Sequence, residues 1–195
     1  MQPIILASQS PRRKMLLEWA NIPFEVIISD SDESFPDTMS INDVPVFIAS
    51  NKAKKVKQLI RTQFPQHDSK KIVAADTIVV LEDKVLGKPA DKQAAIASLV
   101  SLSGKTHQVI TGVVILIDGH EYAFSETTLV TFNHLSLDQI EYYVENYKPY
   151  DKAGGYAIQE WIGVVGIQSI QGDFYNVMGL PVSKLLQKIK QLEKD

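Results

Sequence analysis

Asp76 stands inside an apolar run, Ile72-Val73-Ala74-Ala75-Asp76-Thr77-Ile78-Val79-Val80-Leu81. A carboxylate taken out of water without a partner is costly. Asp76 must therefore be ion-paired, bind a metal or open onto a cleft; the plainer alternative is a strand-end aspartate that caps a neighbouring loop. After the polar turn Glu82-Asp83-Lys84 the chain returns through Val85-Leu86 to Gly87-Lys88-Pro89. A hairpin that returns Lys88 toward Asp76 would set a phosphate-binding cation beside a base or metal ligand.

A second group lies near the N-terminus. Ser8-Gln9-Ser10 reads as a turn, and Pro11 suits the first position of a helix with Ser10 as its N-cap. Arg12 and Arg13 then fall in the first helical turn, where anions rather than cations are favoured. Two arginines, Ser8, Ser10 and free backbone N–H groups make sense together if an anion such as phosphate is their partner; a solvated arginine pair is the alternative. Lys52, beside the seam of a later helix, is placed to lean over a cleft. The acidic loop Ser29-Asp30-Ser31-Asp32-Glu33 could give a carboxylate, Glu33, to a metal, or could simply be solvated. His107 and His120 read as turn and edge residues rather than ligands.

The elements that must position these residues alternate along the chain. Ile4-Ile5-Leu6-Ala7 and Phe24-Glu25-Val26-Ile27-Ile28 read as strands, separated by a helix with Met15, Leu16, Trp19 and Ala20 on its buried side. A helix from Ile41 to Arg61 carries the seam Val46, Ala49, Ala53, Val56 and Ile60. The run around Asp76 reads as a strand buried on both faces. Asp91 to Leu102 is a helix closed by Ser103-Gly104. His107 to Ile117 and Glu121 to Phe132 are strands joined by Asp118-Gly119-His120, a hairpin signal. Ser136 with Gln139 forms a capping box for the helix bearing Ile140, Tyr143 and Val144. The paired glycines of the loop Asp151-Lys152-Ala153-Gly154-Gly155-Tyr156-Ala157-Ile158-Gln159 permit close backbone approach to a ligand, or could simply make a turn. Ile162 to Ile170 reads as a twisted strand, and Val182, Leu185, Leu186, Ile189 and Leu192 mark a last amphipathic helix. The pattern predicts an α/β fold, a mixed sheet with helices outside it, as a single domain.

Composition narrows the class. The chain has 195 residues, 45% hydrophobic and 22% charged, with a net charge of −3, so a charge-driven nucleic-acid binder is disfavoured. With no cysteine, disulfides and thiolate metal sites are ruled out. The short apolar start is followed, not preceded, by Arg12-Arg13, unlike a signal peptide, and no run reaches membrane-spanning length. The expected location is the cytoplasm, with no membrane partner.

Taken together, the motifs resemble the Maf family of nucleoside triphosphate pyrophosphatases over nearly the whole chain. The resemblance rests on Ala7-Ser8-Gln9-Ser10-Pro11-Arg12-Arg13, Asn51-Lys52-Ala53, Ala75-Asp76-Thr77, Gly87-Lys88-Pro89, Ser103-Gly104 and Thr111-Gly112-Val113. It continues through Lys152-Ala153-Gly154-Gly155-Tyr156-Ala157-Ile158-Gln159 to Gly172-Asp173-Phe174-Tyr175-Asn176-Val177-Met178-Gly179-Leu180-Pro181. Asn51 stands where the family usually has Glu, and Glu160-Trp161 replaces a Gly that usually follows the Gln. The resemblance implies a two-lobed, inosine-triphosphatase-like mixed sheet with a central cleft, a divalent cation (Mg²⁺ or Mn²⁺) and release of pyrophosphate from a nucleoside triphosphate. It implies Asp76 as proton acceptor, and Arg12, Thr77 and Gln159 as residues of base choice. Ala-Asp-Thr with Ile-Gln resembles the branch acting on dTTP and UTP, whereas a sister branch acting on 7-methyl-GTP has Ser-Asp-Gln and Ser-Glu.

The chemistry agrees with the residue types. Asp76 can take a proton from water, with Glu33 and Asp76 as the metal carboxylates. Ser8, Ser10, Arg12, Arg13, Lys52 and Lys88 would hold phosphates and stabilise charge on departing pyrophosphate. The competing class is a non-catalytic nucleotide-binding regulator of cell division; the sequence also allows a homodimer.

Overall fold

The apolar run around Asp76 forms the strand its composition predicts. A computed structural model of the chain describes residues 2–30 and 32–193; Met1, Lys194, Asp195 and Ser31 of the acidic loop lie outside the described residues. The elements in chain order are β1 (Ile4–Leu6), α1 (Pro11–Trp19), β2 (Phe24–Val26), α2 (Val44–Gln63), β3 (Ile72–Leu81), β4 (Lys84–Leu86) and α3 (Lys92–Leu102). There follow β5 (Thr106–Ile117), β6 (His120–Phe132), α4 (Leu137–Tyr147), α5 (Trp161–Gly166), β7 (Ile167–Gln171), α6 (Phe174–Val177) and α7 (Val182–Leu192). The strands make one seven-stranded mixed sheet in the order β2-β1-β3-β5-β6-β7, with β4 paired to β3. No helix among the described residues is long and apolar enough to cross a membrane.

The chain divides into two compact units. The first comprises Met1–Asp76, Thr111–Glu126 and Gly179–Asp195; the second comprises Thr77–Ile110 and Thr127–Met178.

In the first unit β1 runs parallel to both β2 and β3, with Ile5 opposite Ile72 and Leu6 opposite Val73. Parallel neighbours need crossover connections, and α1 and α2 lie in them. The seam of α2 does what its spacing predicts: Ala49, Ala53, Val56 and Ile60 are buried with Ile5, Ile72, Ala74, Val114 and Leu116. Contact between α2 and β5 is close enough to exclude any side chain at Gly112. A Cβ there would lie 2.3 Å from the backbone of Pro45 and of Val46. On α1 the buried face differs from the predicted one: Leu16 and Leu17 are inside, whereas Trp19 is 61% exposed. Arg13 takes the place beside Leu16 and Leu17 on that inward face.

In the second unit β3 and β4 form an antiparallel hairpin with Val79 opposite Leu86, turned at Glu82 and Asp83, both at positive φ. Leu99, Leu102, Ile110, Phe132, Ile140, Tyr143, Val144, Ile158 and Ile162 are buried here. The Ser136–Gln139 capping box opens α4 as its sequence predicts. Gly104, at φ +69°, ends α3; a Cβ there would meet the His134 ring at 2.4 Å. The expected strand from Ile162 to Ile170 is instead α5 followed by β7. A short apolar run does not distinguish helix from strand by periodicity. Gly163 is needed for the tight turn: its Cβ would lie 1.7 Å from the Ile158 carbonyl oxygen. His107, expected at a turn or edge, is a core residue, 2% exposed on β5, whereas His120 is exposed at the start of β6.

Candidate active site

The turn between β1 and α1 is organised around Arg13. Ser10 caps α1, its Oγ accepting from the Arg13 backbone N–H at 3.4 Å, and Ser8 Oγ accepts from the Ser10 N–H at 3.2 Å. The Arg13 guanidinium is buried. Its Nη1 donates to Ser8 Oγ at 3.0 Å and its Nε donates to the Gly179 carbonyl at 2.8 Å. Burial lowers the Arg13 pKa and Arg12 beside it acts the same way, while Asp76 and Glu33 raise it. A guanidinium stays charged in proteins, so this turn carries a buried cation whose orientation is fixed by two bonds. Ser8 and Ser10 are expected from the sequence as phosphate ligands; the bonds they make hold the arginine and the helix start in place.

Lys52 comes from the third turn of α2, on the side facing β3. Its Nζ donates to Asp76 Oδ1 at 2.7 Å and to Glu33 Oε1 at 2.8 Å. The side chains of Lys52 and Asp76 are 14% and 12% exposed, and that of Glu33 is 46% exposed. Asp76 is therefore ion-paired rather than a loop cap. The acidic loop is not merely solvated either: Asp32 turns the chain by accepting from the Ser34 N–H at 2.9 Å, and Glu33 reaches Lys52. The first unit thus collects Ser8, Ser10, Arg12, Arg13, Glu33, Lys52 and Asp76, three cations against two carboxylates. Such a set suits a polyanion held close to a carboxylate that can accept a proton.

Among the described residues no group of three or more His, Asp or Glu is arranged to hold a metal ion. Asp76 and Glu33 do share one cation, the Lys52 ammonium. Mg²⁺ is commonly held by one or two carboxylates, with waters and substrate phosphates completing its shell. The pair fits that requirement.

Thr77, Lys88 and Gln159 belong to the second unit. Thr77 follows Asp76 along β3 and is half-buried. Lys88 lies two residues past Leu86, the last position paired in the hairpin. The Gly87 carbonyl at its foot accepts from the Gly154 N–H at 3.1 Å, and Ser98 Oγ donates to the Gly154 carbonyl at 2.8 Å. Gly154 and Gly155, both at positive φ, let the loop lie against Val79 and Pro89. This loop leads to Gln159, whose Oε1 is fully buried with no hydrogen-bond partner. Buried polar atoms are normally satisfied, so this oxygen keeps an unused acceptor.

Several polar contacts around this loop carried no signal in the sequence. Lys152 is buried, with its Nζ 2.8 Å from Asp151 Oδ1 and 3.5 Å from Glu160 Oε1. Tyr143 Oη donates to Glu160 Oε2 and accepts from the Ala157 N–H at 3.1 Å. Tyr143 reads in sequence only as an apolar seam position, and its hydroxyl acts through a loop fourteen residues onward. His107 Nε2 lies 2.7 Å from Tyr156 Oη, within a ring cluster completed by Phe132. Burial lowers the His107 pKa to about 4 and pushes that of Tyr156 up, so both are neutral near pH 7.

The Maf-like protein family matches residues 3–192 of the chain. A dTTP/UTP pyrophosphatase of Parabacteroides distasonis is 50% identical over 188 residues, spanning 96% of this chain and 94% of that protein. A dTTP/UTP pyrophosphatase of Bacteroides fragilis is 47% identical over 97% of this chain and 95% of its own length. One from Porphyromonas gingivalis is 47% identical over 96% and 92%. Among solved structures, the Staphylococcus aureus Ham1 protein aligns with 67% of this chain and 72% of its own at 15% identity and a TM-score of 0.43, too low to bear on the assignment.

Proposed function

Because this chain belongs to the family of Maf-like proteins, we propose that it hydrolyses dTTP and UTP to the nucleoside monophosphate and pyrophosphate. The observation that carries the reading is the buried ion pair of Asp76 and Lys52, in the same unit as the oriented guanidinium of Arg13. The names of relatives at 47–50% identity point the same way.

In this reading Arg12, Arg13, Lys52 and Lys88 bind the triphosphate, and Asp76 accepts the proton of the attacking water. The α–β anhydride bond breaks, and the cations stabilise the charge that collects on pyrophosphate. Asp76 and Glu33 would hold a divalent cation, Mg²⁺ or Mn²⁺. When bound, such an ion neutralises phosphate charge and acidifies water. Lys52, placed between the two carboxylates, keeps them from repelling each other before substrate arrives. Gln159 reads the base: an amide both donates and accepts, which suits the O4 and N3–H edge of uracil and thymine. Thr77 and Arg12 are the other candidates for base choice. The setting proposed for the reaction is the cytoplasm.

The test is a screen for pyrophosphate release across dTTP, UTP, CTP, GTP and 7-methyl-GTP, with Mg²⁺, with Mn²⁺ and with EDTA. Monophosphate and pyrophosphate from dTTP and UTP, abolished by EDTA, are expected. Orthophosphate with a diphosphate product overturns the reaction, and tight nucleotide binding without turnover favours a regulator.

A further inference from the structure

We infer that Tyr143 and Glu160 are positioning residues that hold the Gln159 amide at the angle base discrimination requires; this rests on the reading of Gln159 as the base contact. The Tyr143 hydroxyl makes two bonds that straddle Gln159 in sequence. It accepts from the backbone N–H of Ala157 at 3.1 Å and donates to the side chain of Glu160. One rigid phenol therefore ties together the residue two before the glutamine and the residue one after it.

The rest of the turn is built to keep that tie in place. The Glu160 N–H donates to the Ala157 carbonyl at 3.1 Å, closing residues 157–160 into a turn, and the Gly163 N–H donates to the Glu160 carbonyl at 2.9 Å. The second carboxylate oxygen of Glu160 faces Lys152 Nζ at 3.5 Å. Tyr143 is fully buried on α4 and stacked on Tyr147 with centroids 4.9 Å apart, so its hydroxyl has little freedom. Trp161, next along, packs its ring on Tyr142 at 4.8 Å. The two residues after Gln159 are thus each fastened to α4, by neighbouring tyrosines. Gln159 itself has no bond at Oε1. With no hydrogen bond at Oε1 to fix it, the amide depends on the turn that carries it for its orientation.

Side chains that discriminate bases must be held closely in place by the residues behind them. Loosening this turn lets the amide sample orientations that no longer reject the wrong base. The expected loss falls on the ratio of substrates, not on the reaction with each alike.

The experiment compares Y143F, E160A, E160Q and Q159A by kcat/KM for UTP and for CTP, with a thermal melt of each. Y143F and E160A should lower the UTP-to-CTP ratio by about tenfold, the weight of one well-placed hydrogen bond. E160Q keeps an acceptor for Tyr143 and should stay within about twofold of the wild-type ratio. Adding Y143F to Q159A should change the ratio no further. If Q159A lowers the ratio while Y143F and E160A leave it at the wild-type value, the brace is overturned and the base reading stands. If Q159A itself leaves the ratio unchanged, the base reading falls and the brace with it. Should Y143F fail to fold, E160A against E160Q decides: equal losses in those two overturn the inference.

Discussion

The Lys52 ammonium lies 2.7 Å from the Asp76 carboxylate, and both side chains are almost out of water. A buried pair of this kind is costly to break from one side, because the remaining charge keeps its desolvation penalty. Lys52→Met should therefore destabilise the protein by about 3 kcal/mol in urea unfolding. Adding Asp76→Asn should restore part of that loss. A double variant no more stable than Lys52→Met would mean that the two charges are not energetically coupled.

Asp76→Asn nearly preserves shape while removing the proton acceptor. The rate of pyrophosphate release should fall by roughly 10²–10⁴-fold, the usual span for an acid–base group, with an unchanged circular dichroism spectrum. Turnover within threefold of wild type would remove Asp76 from the chemistry.

Gln159→Glu replaces the amide donor with a second acceptor. It should reduce kcat/KM for dTTP and UTP by roughly tenfold or more while CTP and GTP lose much less, because the N3–H edge keeps its acceptor but O4 loses its donor. A uniform loss over all four nucleotides would show that Gln159 acts on something common to them.

Gly112→Ala puts a methyl group where the α2 backbone already lies at 2.3 Å. Overpacking against backbone cannot be relieved by a rotamer change, so a loss of about 3 kcal/mol is expected, together with lower activity because α2 carries Lys52. A variant with the wild-type melting temperature would contradict this account of the α2–β5 contact.

His107 gives a pH dependence. Its folded-state pKa is depressed from 6.5 to about 4 by burial, so the unfolded chain takes up the extra proton first as pH falls. Its stabilising contribution is full above pH 6.5 and is lost between pH 6.5 and about 4. That loss is on the order of 3 kcal/mol. Urea midpoints across this window should fall more steeply for the wild type than for His107→Gln, and parallel curves would argue against a buried neutral imidazole.

Much of this was legible in the chain because the signals were local. An aspartate inside an apolar run had to be paired, bind a metal or face a cleft unless it capped a loop, and Ser10-Pro11 and Ser136 with Gln139 specify helix starts by bonds made within one turn. The seam of α2 followed from its spacing. What failed depended on distant partners. Trp19 looked like a core residue, yet Leu17 and Arg13 hold the inward positions, and the bonds that keep Arg13 inside include one to Gly179. The run from Ile162 onward is equally apolar as helix or strand, and only the approach of Gly163 to Ile158 decides. The Tyr143–Glu160 contact was invisible for the same reason: nothing in a helix seam announces where a phenol oxygen will end.

Arg13 donates to a carbonyl 166 positions further along the chain, and the first unit is assembled from three separated stretches. This bears on the order of events during synthesis. Contacts spanning most of a chain form late, because the intervening loop must be closed before they repay its entropy. On the ribosome the residues of β1, α1 and the Lys52–Asp76 pair emerge well before Gly179. Until then Arg13 lacks its carbonyl anchor. The cationic half of the site is therefore completed only after residue 179 has been made.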